Sequence, residues 1–192
     1  MQDLNKAVFL DRDGTINYDP GYLGNPDEVK LYDGVSAGIY KLKQNGFLII
    51  VISNQSGISR GIITREQVES VNGRINQLLK KSNTEIDEFF YCPYHPYYDD
   101  ADKCQCRKPS PEMVFNAAKK YNINLSESFF VGDRETDIDC GKNAGLKTIL
   151  IKNTLTQNQI ISLQKAGKTP NFVAADFNEV CEFILSVSIG GN

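Results

Sequence analysis

The chain has 192 residues, of which 41% are hydrophobic and 10% aromatic, and its 21 basic and 24 acidic side chains give a net charge of −3. This composition fits a single folded domain, residues 1–192, with a sizeable core, and it argues against intrinsic disorder. A weakly acidic chain without a basic run lacks the electrostatic footprint of a nucleic-acid-binding protein.

No hydrophobic segment is long enough for membrane insertion or export. The longest wholly apolar run is 47–52, whereas a membrane-spanning helix needs about 20 such residues. The apolar run 7–10 is likewise shorter than the roughly 7 residues or more of a signal-peptide core. We therefore expect a cytoplasmic monomer that binds neither membrane nor nucleic acid.

Short apolar runs alternate with segments of helical periodicity. The predicted strands are residues 7–10, 47–52, 88–91, 129–131, 148–151 and a short one near 172–173. The second run is apolar throughout, as in a parallel strand covered on both faces. Repeated strand–helix units with right-handed crossovers predict an α/β fold, with a doubly wound, mainly parallel sheet between helices.

The predicted helices begin at residues that favour helix N-termini. Asp33 can cap the first helix, and Thr64 with Gln67 forms a capping box for the second. Further helices are predicted to open at Ser110, after Asp133, at Thr156 with Gln159, and before Val180.

Polar side chains suited to phosphate chemistry follow the predicted strands. They are Asp11, Asp13, Ser53, Asn54, Arg107, Lys108, Asp133 and Asp137. Taken singly, each is readily explained as a turn or surface residue. Because ligands of doubly wound sheets bind beyond the carboxyl ends of the strands, we expect these side chains to meet in one active site.

The carboxylates of this set predict a magnesium site. Two carboxylates about 4 Å apart repel each other by roughly 4 kcal/mol at an effective dielectric constant near 20, and a divalent cation offsets that repulsion. Ligands that are all oxygen favour Mg²⁺. Asp11 is then the expected nucleophile toward phosphorus, and Asp13 the acid and base, with a pKa raised by neighbouring carboxylates. Ser53, Asn54 and Lys108 are expected to stabilise the phosphoryl oxygens.

Four motifs resemble those of the haloacid dehalogenase superfamily of phosphotransferases. They are Asp11-Arg12-Asp13-Gly14-Thr15, the segment 53–58, Lys108 before a helix, and Gly132-Asp133 with Asp137. The segments 19–22, 54–61, 92–93 and 104–109 are similar to D-glycero-D-manno-heptose 1,7-bisphosphate phosphatases and to the related histidinol-phosphate phosphatases. The resemblance implies a Rossmann-like core and an aspartyl-phosphate mechanism. It also implies Mg²⁺ held by Asp11, the Asp13 carbonyl and Asp133.

A cysteine-rich loop, residues 92–108, predicts a structural zinc site. Cys92, His95, Cys104 and Cys106 lie in it, and His95 is the chain's only histidine. Four nitrogen and sulfur ligands would fold a loop without secondary structure. A disulfide is the poorer explanation in a reducing compartment. In the family that the chain resembles, the histidine ligand stands where this chain has Tyr94, so zinc held by three thiolates, or no zinc, stays open.

Loops must build the substrate pocket, because no insertion is long enough for a separate cap domain. The expected substrate-binding residues are Asp19, Pro20, Gly21, Tyr22, Asn54, Gln55, Ser56, Arg107, Lys108 and Arg134. Arg107 adds a cation beyond Lys108, and its planar fork suits a second phosphate on the same substrate.

The expected function is therefore that of a Mg²⁺-dependent phosphatase acting on a small phosphorylated sugar. The preferred substrate is heptose 1,7-bisphosphate, cleaved at the 7-phosphate on the way to nucleotide-activated heptose for a surface glycan. Histidinol phosphate or another small phosphate ester is the alternative. A non-enzymatic alternative is a phospho-acceptor signalling domain, which would not use Asp13 as a leaving-group acid.

Overall fold

A computed structural model of the chain describes residues 4–152, 160, 161, 163, 165 and 167–189. Its six strands form one sheet in the order β3-β2-β1-β4-β5-β6, and every neighbouring pair is parallel. The strands are β1 (Lys6–Leu10), β2 (Phe47–Asn54), β3 (Glu88–Cys92), β4 (Phe129–Gly132), β5 (Lys147–Ile151) and β6 (Phe172–Ala174). The predicted parallel α/β sheet is thus confirmed, and its strand order reverses between β1 and β4, where ligands bind in such folds.

Helices cover both faces of the sheet. They are α1 (Val35–Gln44), α2 (Arg65–Lys80), α3 (Glu112–Tyr121), α4 (Glu135–Asn143) and α5 (Phe177–Ile189). The capping box of Thr64 and Gln67 opens α2 as predicted. In contrast, Gly34 rather than Asp33 caps α1, because its left-handed conformation, with φ of 80°, turns the chain into the helix. The helix start predicted at Thr156 and Gln159 lies outside the described residues.

The apolar core lies in two main layers, one on each face of the sheet. On β1, Val8 and Leu10 pack into the layer that includes residues of α1, α2 and α5. Ala7 and Phe9 pack into the other, with residues of α3 and α4. Successive side chains of a strand point to opposite faces, so this strand is apolar at every position. Among the described residues, no helix has both the length and the apolar character needed to cross a membrane.

Candidate active site

Three buried aspartates form the centre of the site at the carboxyl end of the sheet. Asp11 follows β1, Asp133 follows β4, and Asp137 lies in the first turn of α4. One carboxylate oxygen from each lies within 4.8 Å of the others. The backbone N–H of Asp11 donates to the Val131 carbonyl at 2.9 Å, which fixes the end of β1 against β4.

Two glycines make room for this cluster. A Cβ atom at Gly14 would lie 2.3 Å from Oδ2 of Asp133, and Gly14 has a φ of +87°. A Cβ atom at Gly132 would lie 2.3 Å from the Cβ of Asp137. Both glycines are therefore needed for the backbone to pass this close to the carboxylates.

Lys108 brings a positive charge into the cluster. Its Nζ lies 2.6 Å from Oδ1 of Asp11 and 2.7 Å from Oδ1 of Asp137, and it donates to the Ile52 carbonyl at 2.7 Å. Asn54 fixes the lysine backbone: its Oδ1 accepts from the Lys108 N–H at 3.0 Å, and its Nδ2 donates to the Lys108 carbonyl at 3.2 Å. Asn54 thus fixes the lysine loop, while its role as a donor to the phosphoryl oxygens stays a prediction.

Burial shifts the pKa values of these groups. It raises the pKa of Asp11 to about 7, although the charge of Lys108 opposes the shift. It also raises the pKa of Asp137 against the same opposing charge. Burial alone would lower the pKa of Lys108, but the two carboxylates outweigh it and raise the value above that of a free lysine.

Hydrogen-bond donors surround the carboxylate of Asp13. Arg12 donates to it from Nη2 at 2.8 Å, Asn17 at 2.9 Å and Gln55 at 2.8 Å. Burial favours a high pKa, but Arg12 and these hydrogen bonds outweigh burial and lower the pKa of Asp13 below its ordinary value. The prediction that neighbouring carboxylates raise the pKa of Asp13 was therefore wrong, because the dominant neighbour is the guanidinium of Arg12.

A cavity of about 520 Å³ opens beside the cluster and collects most of the predicted substrate-binding residues. The predicted residues that line it are Asp19, Gly21, Tyr22, Asn54, Gln55, Ser56, Arg107, Lys108 and Arg134. Pro20 belongs to the same turn but not to the lining. Ser53 also lines the cavity, and its Oγ accepts from Gln55 Nε2 at 2.7 Å.

Sequence reasoning missed Arg60, which lines the same cavity. Its guanidinium lies over the rings of Tyr22 and Tyr98, at 5.8 Å and 5.6 Å, and its Nη2 is 3.1 Å from Nε2 of His95. The sequence did offer a signal for Arg60: it is a cation in the segment after β2, within the stretch 54–61 that carried the resemblance. Its position in the cavity depends on folded loops that the pattern does not specify.

Two other arginines stand at the cavity. Arg134 pairs with Asp19, Nη2 to Oδ2 at 2.8 Å. Arg107 donates from Nη1 to the Tyr94 carbonyl at 3.2 Å. Burial, and then the nearby charges of Arg60 and Arg134, lower the pKa of Arg107 below its ordinary value. The cavity is therefore acidic at the aspartate cluster and basic around the arginines.

The structure does not assemble the predicted zinc ligands. Cys92 and Cys106 form a disulfide, with Cα atoms 5.6 Å apart, while Cys104 is a free thiol. His95 faces Arg60 and accepts from the Tyr97 N–H at 3.2 Å. Within the described ranges, the aspartates 11, 133 and 137 are the one group suited to a metal. The expectation against a disulfide was wrong, because the turn Lys103–Cys106 brings Cys106 beside the end of β3.

Known proteins match this chain over nearly its whole length. A family model described as HAD-hydrolase-like matches residues 105–180. The D-glycero-D-manno-heptose-1,7-bisphosphate 7-phosphatase of Chlorobaculum tepidum is 40% identical over 190 residues, 94% of each chain. The D-glycero-beta-D-manno-heptose-1,7-bisphosphate 7-phosphatase of Helicobacter pylori strain 26695 is 34% identical over 185 residues, which cover 95% of this chain and 99% of the relative.

The chain belongs to the heptose-bisphosphate phosphatase family of HAD-like hydrolases. A crystal structure from B. bronchiseptica, of D,D-heptose 1,7-bisphosphate phosphatase with magnesium and phosphate, superposes with a TM-score of 0.81. It is 30% identical and covers 95% of this chain and 99% of its own. Membership in this phosphatase family makes the protein a phosphoric monoester hydrolase with the α/β core described above.

Proposed function

We propose that the protein is a Mg²⁺-dependent phosphatase that removes the 7-phosphate of D-glycero-D-manno-heptose 1,7-bisphosphate through an aspartyl-phosphate intermediate. One observation carries the proposal: a buried aspartate cluster, joined to Lys108, opens on a cavity that three arginines line. The relatives named for this activity support the choice of sugar.

The aspartate cluster suits Mg²⁺. Its ligand atoms are carboxylate oxygens within 4.8 Å of one another, the type of ligand this cation prefers. We assign Asp11, the backbone carbonyl of Asp13 and Asp133 as ligands. Asp137, which the sequence placed among the converging carboxylates, is not assigned as a ligand, because it pairs with Lys108. When bound, the ion supplies positive charge to the phosphoryl oxygens.

The remaining residues perform two displacements at phosphorus. In the first, Asp13 takes up a proton when the phosphate dianion binds beside it. A carboxylate oxygen of Asp11 then bonds to phosphorus, the bond from phosphorus to the sugar oxygen breaks, and Asp13 gives its proton to that oxygen. In the second, Asp13 takes a proton from water, the water oxygen bonds to phosphorus, and the bond to Asp11 breaks. Lys108 and Ser53 stabilise the transferring phosphoryl group.

The arginines of the cavity favour a substrate with a second phosphate. Arg134 is neutralised by Asp19, whereas the described contacts of Arg60 and Arg107 are with aromatic rings, His95 and a backbone carbonyl. Two guanidinium groups close enough to interact electrostatically are well suited to bind an anion. A cavity of about 520 Å³ has room for a sugar bisphosphate.

Steady-state kinetics test the proposal. Heptose 1,7-bisphosphate is expected to give the highest kcat/KM in a set that includes histidinol phosphate and simple phosphate monoesters. A higher value for histidinol phosphate would overturn the substrate assignment. Multiple turnover that is lost in Asp11→Asn and Asp13→Asn excludes the signalling-domain alternative.

Three further features stay proposals. We assign the protein to the cytoplasm and to a monomeric state. Zinc binding by residues Cys92, Cys104 and Cys106 with His95 requires free thiolates, so it applies to the reduced protein.

A further inference from the structure

Arg12 is a buried cation in the middle of the site. It stands between Asp11 and Asp13 in sequence, and only 1% of it is exposed. Its Nε lies 3.1 Å from both carboxylate oxygens of Asp13, and its Nη2 lies 2.8 Å from Oδ2. The guanidinium of Arg12 thus binds the Asp13 carboxylate through two nitrogens, Nε and Nη2.

A second contact anchors Arg12 from the other side. Its Nη1 donates to Oδ1 of Asn72 at 3.0 Å, and Asn72 is a buried residue of α2. Helix α2 therefore holds the guanidinium, which in turn holds Asp13. Asn17 and Gln55 complete the arrangement by donating to the two carboxylate oxygens, so Asp13 has little freedom to rotate.

The stability of the fold is a poor explanation for this arrangement. Desolvating a guanidinium and a carboxylate costs about as much as their attraction returns, and apolar residues of similar volume often stabilise a core equally well. The planar fork instead fixes the direction of the carboxylate plane. A fixed orientation of the Asp13 carboxylate is useful if one of its oxygens must contact a substrate atom at a defined position.

We propose that Arg12 and Asn72 are positioning residues, which aim the Asp13 carboxyl group at the leaving oxygen of the substrate. The inference rests on the acid role of Asp13 in the proposed function. When the proton passes from Asp13 to the leaving oxygen and the bond from that oxygen to phosphorus breaks, Asp13 returns to the carboxylate form that Arg12 binds in the free protein. Arg12 is already in place to balance this negative charge.

Comparing substrates with different leaving groups tests this role, because a purely structural defect would lower kcat/KM equally for both. A sugar alkoxide leaves only with a proton, whereas 4-nitrophenolate leaves without one. The substitution Asn72→Ala removes the anchor of Arg12 but keeps every group that touches the substrate. We expect it to lower kcat/KM for the sugar phosphate about tenfold and that for 4-nitrophenyl phosphate less than about threefold, because general-acid catalysis contributes roughly 10²–10⁴-fold.

Asn76→Ala is the matched control. Asn76 lies on the same helix, and its side chain bonds to the backbone of Ile86, at 2.8 Å and 3.1 Å, away from the cavity. Its loss is expected to lower the unfolding temperature by a similar amount without changing the ratio of the two kcat/KM values. Arg12→Lys, which keeps the charge but loses the fork, is expected to show the same selectivity as Asn72→Ala.

The same measurements separate failure of this inference from failure of the proposed function. If Asp13→Asn lowers kcat/KM equally for both substrates, Asp13 is not the acid and the proposed role fails. If Asp13→Asn is selective but Asn72→Ala leaves kcat/KM unchanged for both substrates, or lowers it equally for both, the positioning role of Arg12 and Asn72 is wrong.

Discussion

The Nζ atom of Lys108 lies 2.6 Å from Oδ1 of Asp11, although the two residues are 97 positions apart in the chain. The same nitrogen lies 2.7 Å from Oδ1 of Asp137. One buried lysine therefore serves two buried carboxylates, which ties the end of β1 to the start of α4. This contact makes the chemistry of the site and the stability of the fold depend on the same side chain.

Removing Lys108 is expected to impair both properties. In Lys108→Met, Asp11 and Asp137 lose their buried counter-charge, which costs about 3–5 kcal/mol of stability when one partner of a buried pair is deleted. Loss of a cation at the transferring phosphoryl group is expected to lower kcat by about 10² or more. Thermal unfolding and steady-state kinetics measure the two effects. Lys119→Met, at an exposed position of α3, is the control and should match the wild type. Wild-type activity in Lys108→Met would contradict the assignment.

Magnesium affinity is expected to depend on pH. Burial raises the pKa of Asp11 to about 7 in the metal-free protein, so at lower pH a proton occupies the carboxyl group that must bind the ion. The apparent affinity should therefore rise as the pH increases toward 7, by at most about tenfold per pH unit, and should level off above it. Titration calorimetry between about pH 6 and about pH 8 measures the change. An affinity that stays constant over this range, or that falls as the pH rises, would contradict the role of Asp11.

Much of the fold follows from local sequence signals. Apolar runs such as 47–52 require a strand covered on both faces, and the polar groups of a parallel sheet then gather at one edge. Asp11, Asp133 and Lys108 could therefore be assigned to one site before the fold was known. The start of α1 was predicted one residue too early. Asp33 has a side chain that can cap a helix, but Gly34 caps α1 through its left-handed backbone conformation.

The missed features depend on contacts between distant segments. The low pKa of Asp13 arises because the charge and hydrogen bonds of Arg12 outweigh burial, and α2 anchors Arg12 through Asn72. The spacing of residues in the sequence alone does not predict that the Arg12 side chain is buried. The pairing of Cys92 with Cys106 likewise depends on the path of the loop, since the same cysteines suit a metal site or a disulfide.

Reduction of the Cys92–Cys106 disulfide is expected to create a zinc-binding loop. The two released thiols join Cys104, and three thiolates provide most of a tetrahedral site. Metal analysis of protein purified under reducing conditions should find near-stoichiometric zinc, and Cys104→Ser should abolish it. Cys181→Ser, at a buried cysteine of α5, is the control and should keep the metal. Absence of zinc from the reduced protein would show that the loop folds without it.

Arg60 is expected to select substrates that carry a second phosphate. Its guanidinium faces the cavity between the rings of Tyr22 and Tyr98, so Arg60→Ala removes a charged donor without disturbing the aspartate cluster. A hydrogen bond to a charged group contributes about 1.5–3 kcal/mol, so KM for the bisphosphate should rise about tenfold or more. A monophosphate lacks the second phosphate that Arg60 is expected to bind, so its KM should change little. Arg65→Ala, at an exposed position outside the cavity lining, is the matched control. Equal effects of Arg60→Ala on both substrates would instead place Arg60 at the transferred phosphate, because that group is common to the two.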